Sequence, residues 1–213
     1  AVFVASGVLC AVLTPMAIRL AVRSGALDHP ADHKSHKSPI PHLGGLAIVT
    51  AFTGAVVLAA IARPPEGGLG VLLPLLLIAT ALALVGLMDD LRELSPAWRV
   101  IAETGAAVVV WVLGSGVTVT GSDALNLILT VLWIVGITNA FNLLDNMDGL
   151  AAGLGAITCV SMFLVASANG QFLVAALAIG LAGCTAGFLR HNFHPASIYM
   201  GDSGALYIGF LIA

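Results

Sequence analysis

The chain has 213 residues, of which 59% are hydrophobic and 9% charged, with a formal net charge of −3 and a mean hydropathy of +1.05. A soluble domain carries roughly a quarter charged residues, so this composition excludes an ordinary soluble domain. It predicts an all-α polytopic integral membrane bundle, residues 1–213 forming a single transmembrane domain. The net charge says little about partners, because the charges are sorted along the chain and the sum hides that sorting.

A membrane span needs about 20 mostly apolar residues. Cutting the sequence at its charges leaves uncharged runs at 1–18, 43–62, 67–88, 104–122, 124–144 and 149–189. The first run has no preceding basic region and no convincing small-residue cleavage site, which predicts a retained span rather than a signal peptide. The last run is two spans long and breaks at Ser167, Asn169, Gly170 and Gln171, a turn composition. The sequence therefore predicts seven spans and the start of an eighth over 203–213, about seven and a half in all. Eleven helical residues rise only about 16 Å, half the hydrocarbon thickness, so the domain is expected to be C-terminally incomplete.

Lys and Arg concentrate in cytoplasmic loops. With the N-terminus outside, Arg19, Arg23, Lys34, Lys37, Arg92, Arg99 and Arg190 fall inside and Arg63 outside. The same orientation sends all six histidines inward, together with Asp89, Asp90, Asp145, Asp148 and Asp202. The cysteines Cys10, Cys159 and Cys184 lie within spans and are expected to be small buried hydrophobes with no redox role.

The first inner loop, Asp28 to Gly45, reads DHPADHKSHKSPIPHLGG. Its prolines forbid a continuous helix, and Lys34, His36 and Lys37 offer cationic donors beside Gly44 and Gly45. A solvated loop, or a patch for anionic lipid heads, fits the composition equally well. Next, Asp89–Asp90 end an apolar run in GLMDDLRELSP. Adjacent carboxylates at a helix C-terminus oppose the macrodipole and call for a divalent cation or a lysine to offset them; Arg92 and Arg99 are their cationic neighbours. In NAFNLLDNMDGLAAG, Asn139, Asn142, Asp145 and Asp148 recur every three residues, so neighbouring members would share a helix face and grip one metal or one polar substrate. Finally, NFHPASIYMGDSG carries Asn192, His194 and Asp202. Asp202-Ser203 precedes an apolar run, as an N-cap would, and a helix N-terminus is also a phosphate site. Three acidic sites and one basic loop on one side describe a centre for phosphate and Mg²⁺, and intramembrane or juxtamembrane acids are functional candidates by default.

Taken in order, HKSHKSPIPHLGG, MDDL, NAFNLLDNMDGLAAG and NFHPASIYMGDSG resemble the signature segments of the polyprenyl-phosphate N-acetylhexosamine-1-phosphate transferases, a glycosyltransferase family. Pro-Ile-Pro and Gly-Gly look more like the N-acetylglucosamine-1-phosphate branch than the muramoyl-pentapeptide branch. The resemblance implies a ten-span enzyme of the bacterial inner membrane with a cytoplasmic active site. It would transfer a sugar-1-phosphate from a UDP-sugar to a polyprenyl phosphate and release UMP, the first membrane step of cell-envelope polysaccharide assembly. By motif, Asp89 and Asp90 take the catalytic positions and Asn142 and Asp202 those assigned to Mg²⁺, with Mn²⁺ as an alternative ion. Lys34, His36, Asp145, Asp148 and Asn192 fall in the substrate-binding segments. The partners implied are the two substrates and the bilayer, with no nucleic acid; a homodimer is left open. His33 stands where the family usually has arginine and Asn146 where glycine commonly follows. The histidine-rich motif of a later loop is not within 1–213.

Two other classes compete. A Mg²⁺-dependent membrane prenyltransferase also uses aspartate-rich motifs, but leaves Pro-Ile-Pro and MGDSG unexplained. A secondary transporter places its carboxylates in broken helices near mid-depth, so the position of the acids discriminates.

Overall fold

The computed structural model describes residues 1–28, 39–64, 69–92 and 94–213. Among them are eight α-helices: α1 (Val2–Ser24), α2 (Gly44–Ala62), α3 (Leu69–Arg92), α4 (Pro96–Val112), α5 (Asp123–Leu144), α6 (Leu150–Ala168), α7 (Phe172–Asn192) and α8 (Gly201–Ile212). Six of these, α1, α2, α3, α5, α6 and α7, are long and apolar enough to cross a membrane. The all-helical, multi-pass architecture expected from the sequence is therefore present. Six candidate spans stand where seven were expected, and a two-residue antiparallel ladder, β1 (Leu27–Asp28) with β2 (Ile40–Pro41), ties the two described ends of the first loop together.

The helices follow the uncharged runs except at the fourth. The run 104–122 was expected to span, but α4 starts earlier, at Pro96, and stops at Val112. Pro96 occupies the first turn, where its missing N–H costs nothing. Gly114 takes a left-handed φ of 75°. The following backbone is satisfied by α5 side chains rather than by a helix: Val117 N–H donates to Thr130 Oγ1 (2.9 Å) and Thr120 N–H to Asn126 Oδ1 (2.9 Å). These polar partners, buried on α5, make a folded-back loop competitive with helix over 113–122. The charges Arg99 and Glu103 lie inside α4 rather than ahead of it. The turn at 169–171 falls where the sequence placed it.

The packing centres on α8. Every residue from Ser203 to Phe210 is buried, the pattern of a helix enclosed on all sides, and its neighbours include α2, α3 and α5. Lipid is as apolar as a leucine side chain, so helices inside a membrane associate through close contact and polar bonds. The glycines supply the contact. A Cβ on Gly86 of α3 would meet the Asp202 carbonyl at 2.5 Å, and one on Gly7 of α1 the Gly183 carbonyl of α7 at 2.8 Å. Polar support comes from Thr53 and Tyr207, whose hydroxyls are 2.6 Å apart, with Phe52 edge-on to the Tyr207 ring at 6.1 Å. The three cysteines are free and buried.

Candidate active site

The cleft forms where helix ends meet. Its volume is about 1050 Å³ and its walls include Asp28, His42, Asp89, Asp90, Arg99, Asp145, Tyr199 and Asp202. Asp89 and Asp90 come from the last turn of α3, Asp145 is the C-cap of α5, and Asp202 lies in the first turn of α8. Acids up to 174 residues apart in sequence, Asp28 and Asp202, thus share one cavity.

Arg99, near the start of α4, is the hub of the charges. Its Nη1 donates to Asp202 Oδ2 (2.7 Å) and lies 3.1 Å from Asp89 Oδ2. Asn142 of α5 donates from Nδ2 to the other Asp202 oxygen at 2.7 Å. Asp89 Oδ1 accepts from the Leu94 N–H (2.6 Å). One guanidinium therefore joins two carboxylates from α3 and α8, each held on its far side by a second donor.

Asp90 does something different. Its two oxygens accept the N–H groups of Asp202 (2.9 Å) and Ser203 (3.1 Å), while Asp145 Oδ2 accepts that of Gly201 (3.0 Å). The first N–H groups of a helix have no partner within it; here carboxylates from α3 and α5 satisfy them and complement the positive end of the α8 dipole. This corrects two expectations. Asp202 is not the N-cap of α8, whose cap position is Met200 without a side-chain bond. Nor are these N–H groups open to phosphate, since acids already occupy them. Gly201 makes the arrangement sterically feasible, with a left-handed φ of 72° and no room for a Cβ between the His42 carbonyl and the Asp90 carboxylate. His42 itself places Nε2 3.2 Å from the Asp90 carbonyl.

The spacing-of-three motif does not run along one helix. α5 ends at Leu144, so only Asn139 and Asn142 are helical, and Asp148 lies in the turn before α6. Asp148 Oδ2 accepts the Ala196 N–H (3.0 Å) and sits 2.8 Å from His194 Nδ1. Asn192 accepts the Gly149 N–H (3.1 Å) and donates to the Ile198 carbonyl (3.0 Å). These two residues fasten the 193–200 segment beside the cleft. Lys34 and His36, with His33 and Lys37, lie outside the described residues.

Burial lifts the Asp145 carboxyl well above its ordinary range; the Gly201 N–H opposes this, and the charges of Asp90 and Asp202 reinforce it. Burial likewise pushes the Tyr199 hydroxyl up to about 12, helped by the charges of Asp148, Asp28 and Asp145. Both shifts come first from burial, and neighbouring carboxylates add to them. Among the described residues, no group of three His, Cys, Asp or Glu converges as a ready-made metal cage. The donors fit Mg²⁺ of the kind that takes one or two carboxylates and completes its shell with water and substrate phosphate.

Sequence reasoning named the acids but missed Arg99 as their link, and it passed over His42, Tyr199 and Glu103. The signal was faint: Arg99 and Glu103 are four apart, on one face of a helix whose start the charge-cut runs misplaced.

A membrane bundle with an acidic, arginine-bridged cleft at the ends of its helices defines a class of polytopic protein with an interfacial polar site. The chain belongs to glycosyl transferase family 4, whose family model matches residues 72–213. It is 34% identical over 220 residues to the probable undecaprenyl-phosphate N-acetylglucosaminyl 1-phosphate transferase of Bacillus subtilis, covering 99% of this chain and 60% of that protein. It is 37% identical over 218 residues to the decaprenyl-phosphate N-acetylglucosaminephosphotransferase of Mycobacterium tuberculosis (91% and 54%). A phospho-N-acetylmuramoyl-pentapeptide-transferase of Rubrobacter xylanophilus is 33% identical over 207 residues (83% and 60%). The chain thus spans between half and two thirds of the length of these relatives.

Proposed function

We propose that this chain carries much of the active site of a transferase that moves N-acetylglucosamine-1-phosphate from a UDP-sugar to a polyprenyl phosphate, releasing UMP, at the cytoplasmic face of the bacterial inner membrane. The observation that carries the reading is the cleft itself. Asp89, Asp90, Asp145 and Asp202 line it together, with Arg99 as the only Lys or Arg among its described lining residues. An excess of carboxylates suits a site for Mg²⁺ and diphosphate and is unsuited to an anion alone. Two relatives named for N-acetylglucosamine phosphate transfer to polyprenyl phosphates support the substrate class.

In the reaction, an oxygen of the lipid phosphate forms a bond to the sugar-bearing phosphorus of the donor. The bond from that phosphorus to the bridging oxygen of UMP breaks, and UMP leaves with the electron pair. Asp202 and Asn142 are the residues that would hold Mg²⁺, through a carboxylate oxygen and an amide oxygen. When bound, the ion supplies positive charge against the developing charge on the phosphoryl oxygens. Arg99 is placed to exchange a carboxylate for a phosphate oxygen, a bond of the same charge-assisted kind. A phosphomonoester has a second pKa near 6, so the acceptor is mostly ionised at pH 7. Asp89 therefore acts first in orienting the acceptor through Arg99, and as a general base second. Asp90 and Asp145 hold the start of α8, and hence Asp202, in place. Lys34 and His36 are assigned to the nucleotide-sugar. The polyprenyl tail lies against apolar helix faces, so the acceptor needs no soluble site.

The acids sit in terminal turns and a cap, not at mid-depth, which favours an enzyme over a transporter. The test is to incubate membranes holding the whole protein with polyprenyl phosphate, Mg²⁺ and a panel of UDP-sugars. UMP release with UDP-N-acetylglucosamine supports the reading. Sugar uptake into vesicles without UMP release would replace it with transport. Lys34→Ala should raise the apparent KM for the UDP-sugar, and an unchanged KM would leave that lysine only a lipid-head role.

A further inference from the structure

Among the described residues, one buried acid lies outside the cleft. Glu103, on α4, is 0% exposed. Its Oε2 accepts a hydrogen bond from Asn139 Nδ2 of α5, and its Oε1 is buried without a partner. Asn139 also donates to the Val135 carbonyl of its own helix (2.9 Å). A carboxyl enclosed by helices with one oxygen unsatisfied is costly, by several kcal/mol if ionised, and packing alone would be better served by an apolar side chain.

Its position indicates what it offsets. Glu103 follows Arg99 by four residues on α4, and Asn139 precedes Asn142 by three on α5, both same-face spacings. The pair thus repeats, one turn deeper, the contact between α4 and α5 that ends at Asp202, where Arg99 and Asn142 bind opposite oxygens of one carboxylate. A slip of α4 along α5 would pull one of those donors away. The only side-chain hydrogen bond between α4 and α5 themselves, among the described residues, is Glu103 to Asn139.

We propose that Glu103 and Asn139 are positioning residues: their bond fixes the register of α4 against α5, so that Arg99 and Asn142 reach Asp202 together. The role is that of an acceptor for Asn139, which glutamine can also fill. The inference rests on the transferase reading for its kinetic consequence but not for its structural one.

The experiment uses the whole protein with Glu103→Leu, Glu103→Gln, Asn139→Leu and the Glu103→Leu/Asn139→Leu double variant. Glu103→Leu should lower kcat for UMP release on the order of 10- to 100-fold, the cost of a misplacement near 1 Å. KM for both substrates should stay within about threefold and thermal stability should not fall. Glu103→Gln should restore kcat to within about threefold of wild type. The double variant should lose no more than Glu103→Leu alone, as residues in contact are non-additive. In parallel, spin labels at Trp98→Cys and Leu143→Cys, both exposed while the native cysteines are buried, report the α4–α5 distance. That distance should shift or broaden in Glu103→Leu and not in Glu103→Gln. Wild-type kcat or an unchanged distance in Glu103→Leu overturns the proposal, as does a kcat loss that tracks a fall in melting temperature. If Glu103→Leu does not fold, Asn139→Leu carries the same two readouts, and wild-type values there overturn it. A wild type that releases no UMP, with the distance shift present, would sink the transferase reading and leave the positioning role standing.

Discussion

Neighbouring acids with one chemistry divide the labour here by what their oxygens already hold. Asp89 shares Arg99 with Asp202, whereas Asp90 spends both oxygens on the α8 backbone. Asp90→Ala should therefore lower stability by about 2–4 kcal/mol, because two part-buried N–H groups lose their acceptor. Asp89→Asn should reduce turnover with a much smaller loss of stability. Melting curves in detergent alongside UMP release separate the two, and equal losses of stability would contradict the division. Asp145 adds a pH dependence. Its folded-state pKa is raised, chiefly by burial, so the folded chain holds that proton more tightly than the unfolded chain, where an aspartate titrates near 4. The stability it contributes is full below about pH 4 and declines as pH rises toward the lifted value. Asp145→Asn should flatten the fall in melting temperature between pH 5 and pH 8 measured without divalent cation; an unchanged slope would show that Asp145 ionises alike in the folded and unfolded chains and would contradict the shift.

Among the elements, α8 shows how far the sequence could be read. The apolar run after Asp202 revealed a helix, and the MGDSG motif marked its start as a site. What the sequence could not show was where the cap comes from, because the carboxylates that cap α8 belong to α3 and the end of α5. The fourth span failed for a related reason: the polar groups that stop α4 from continuing are Asn126 and Thr130, on the next helix. Even spacing of Asn139, Asn142, Asp145 and Asp148 suggested one helix face, yet the chain leaves the helix at Asp145, so four similar residues make four different contacts. Local pattern was legible, and inter-element hydrogen bonding was not. The contact between α2 and α8 offers a test at this scale. A Cβ at Gly45 would collide with Ser203 Oγ and the Gly204 backbone, leaving little flexible side chain to yield. Gly45→Ala should cost about 1–3 kcal/mol, the usual range for overpacking, and should depress turnover by shifting α8. A melting temperature equal to wild type would show that the two helices can separate without consequence.

Across the whole molecule, the bundle converts a sequence sorted by polarity into a sorted surface. Apolar helix faces remain exposed along the spans, among them Val4, Val8 and Val12 of α1 and Leu73, Leu77 and Leu84 of α3. Asp89 and Asp90 of α3, Asp145 at the end of α5 and Asp202 of α8 gather in one end cleft. The proposed reaction between a lipid-borne phosphate and a water-borne nucleotide-sugar would use this sorting, since one substrate would approach through the bilayer and the other from solution. The central claim is that Asp202, held by Arg99 and Asn142, forms the Mg²⁺-dependent heart of that cleft. The most direct measurement is the rate of UMP release from UDP-N-acetylglucosamine and polyprenyl phosphate as Mg²⁺ is varied, with the whole protein as wild type and as Asp202→Asn. The account predicts saturable Mg²⁺ dependence in the wild type and at least about a hundredfold lower turnover in a folded Asp202→Asn. Turnover by Asp202→Asn at the wild-type rate, with the same Mg²⁺ dependence, would contradict it.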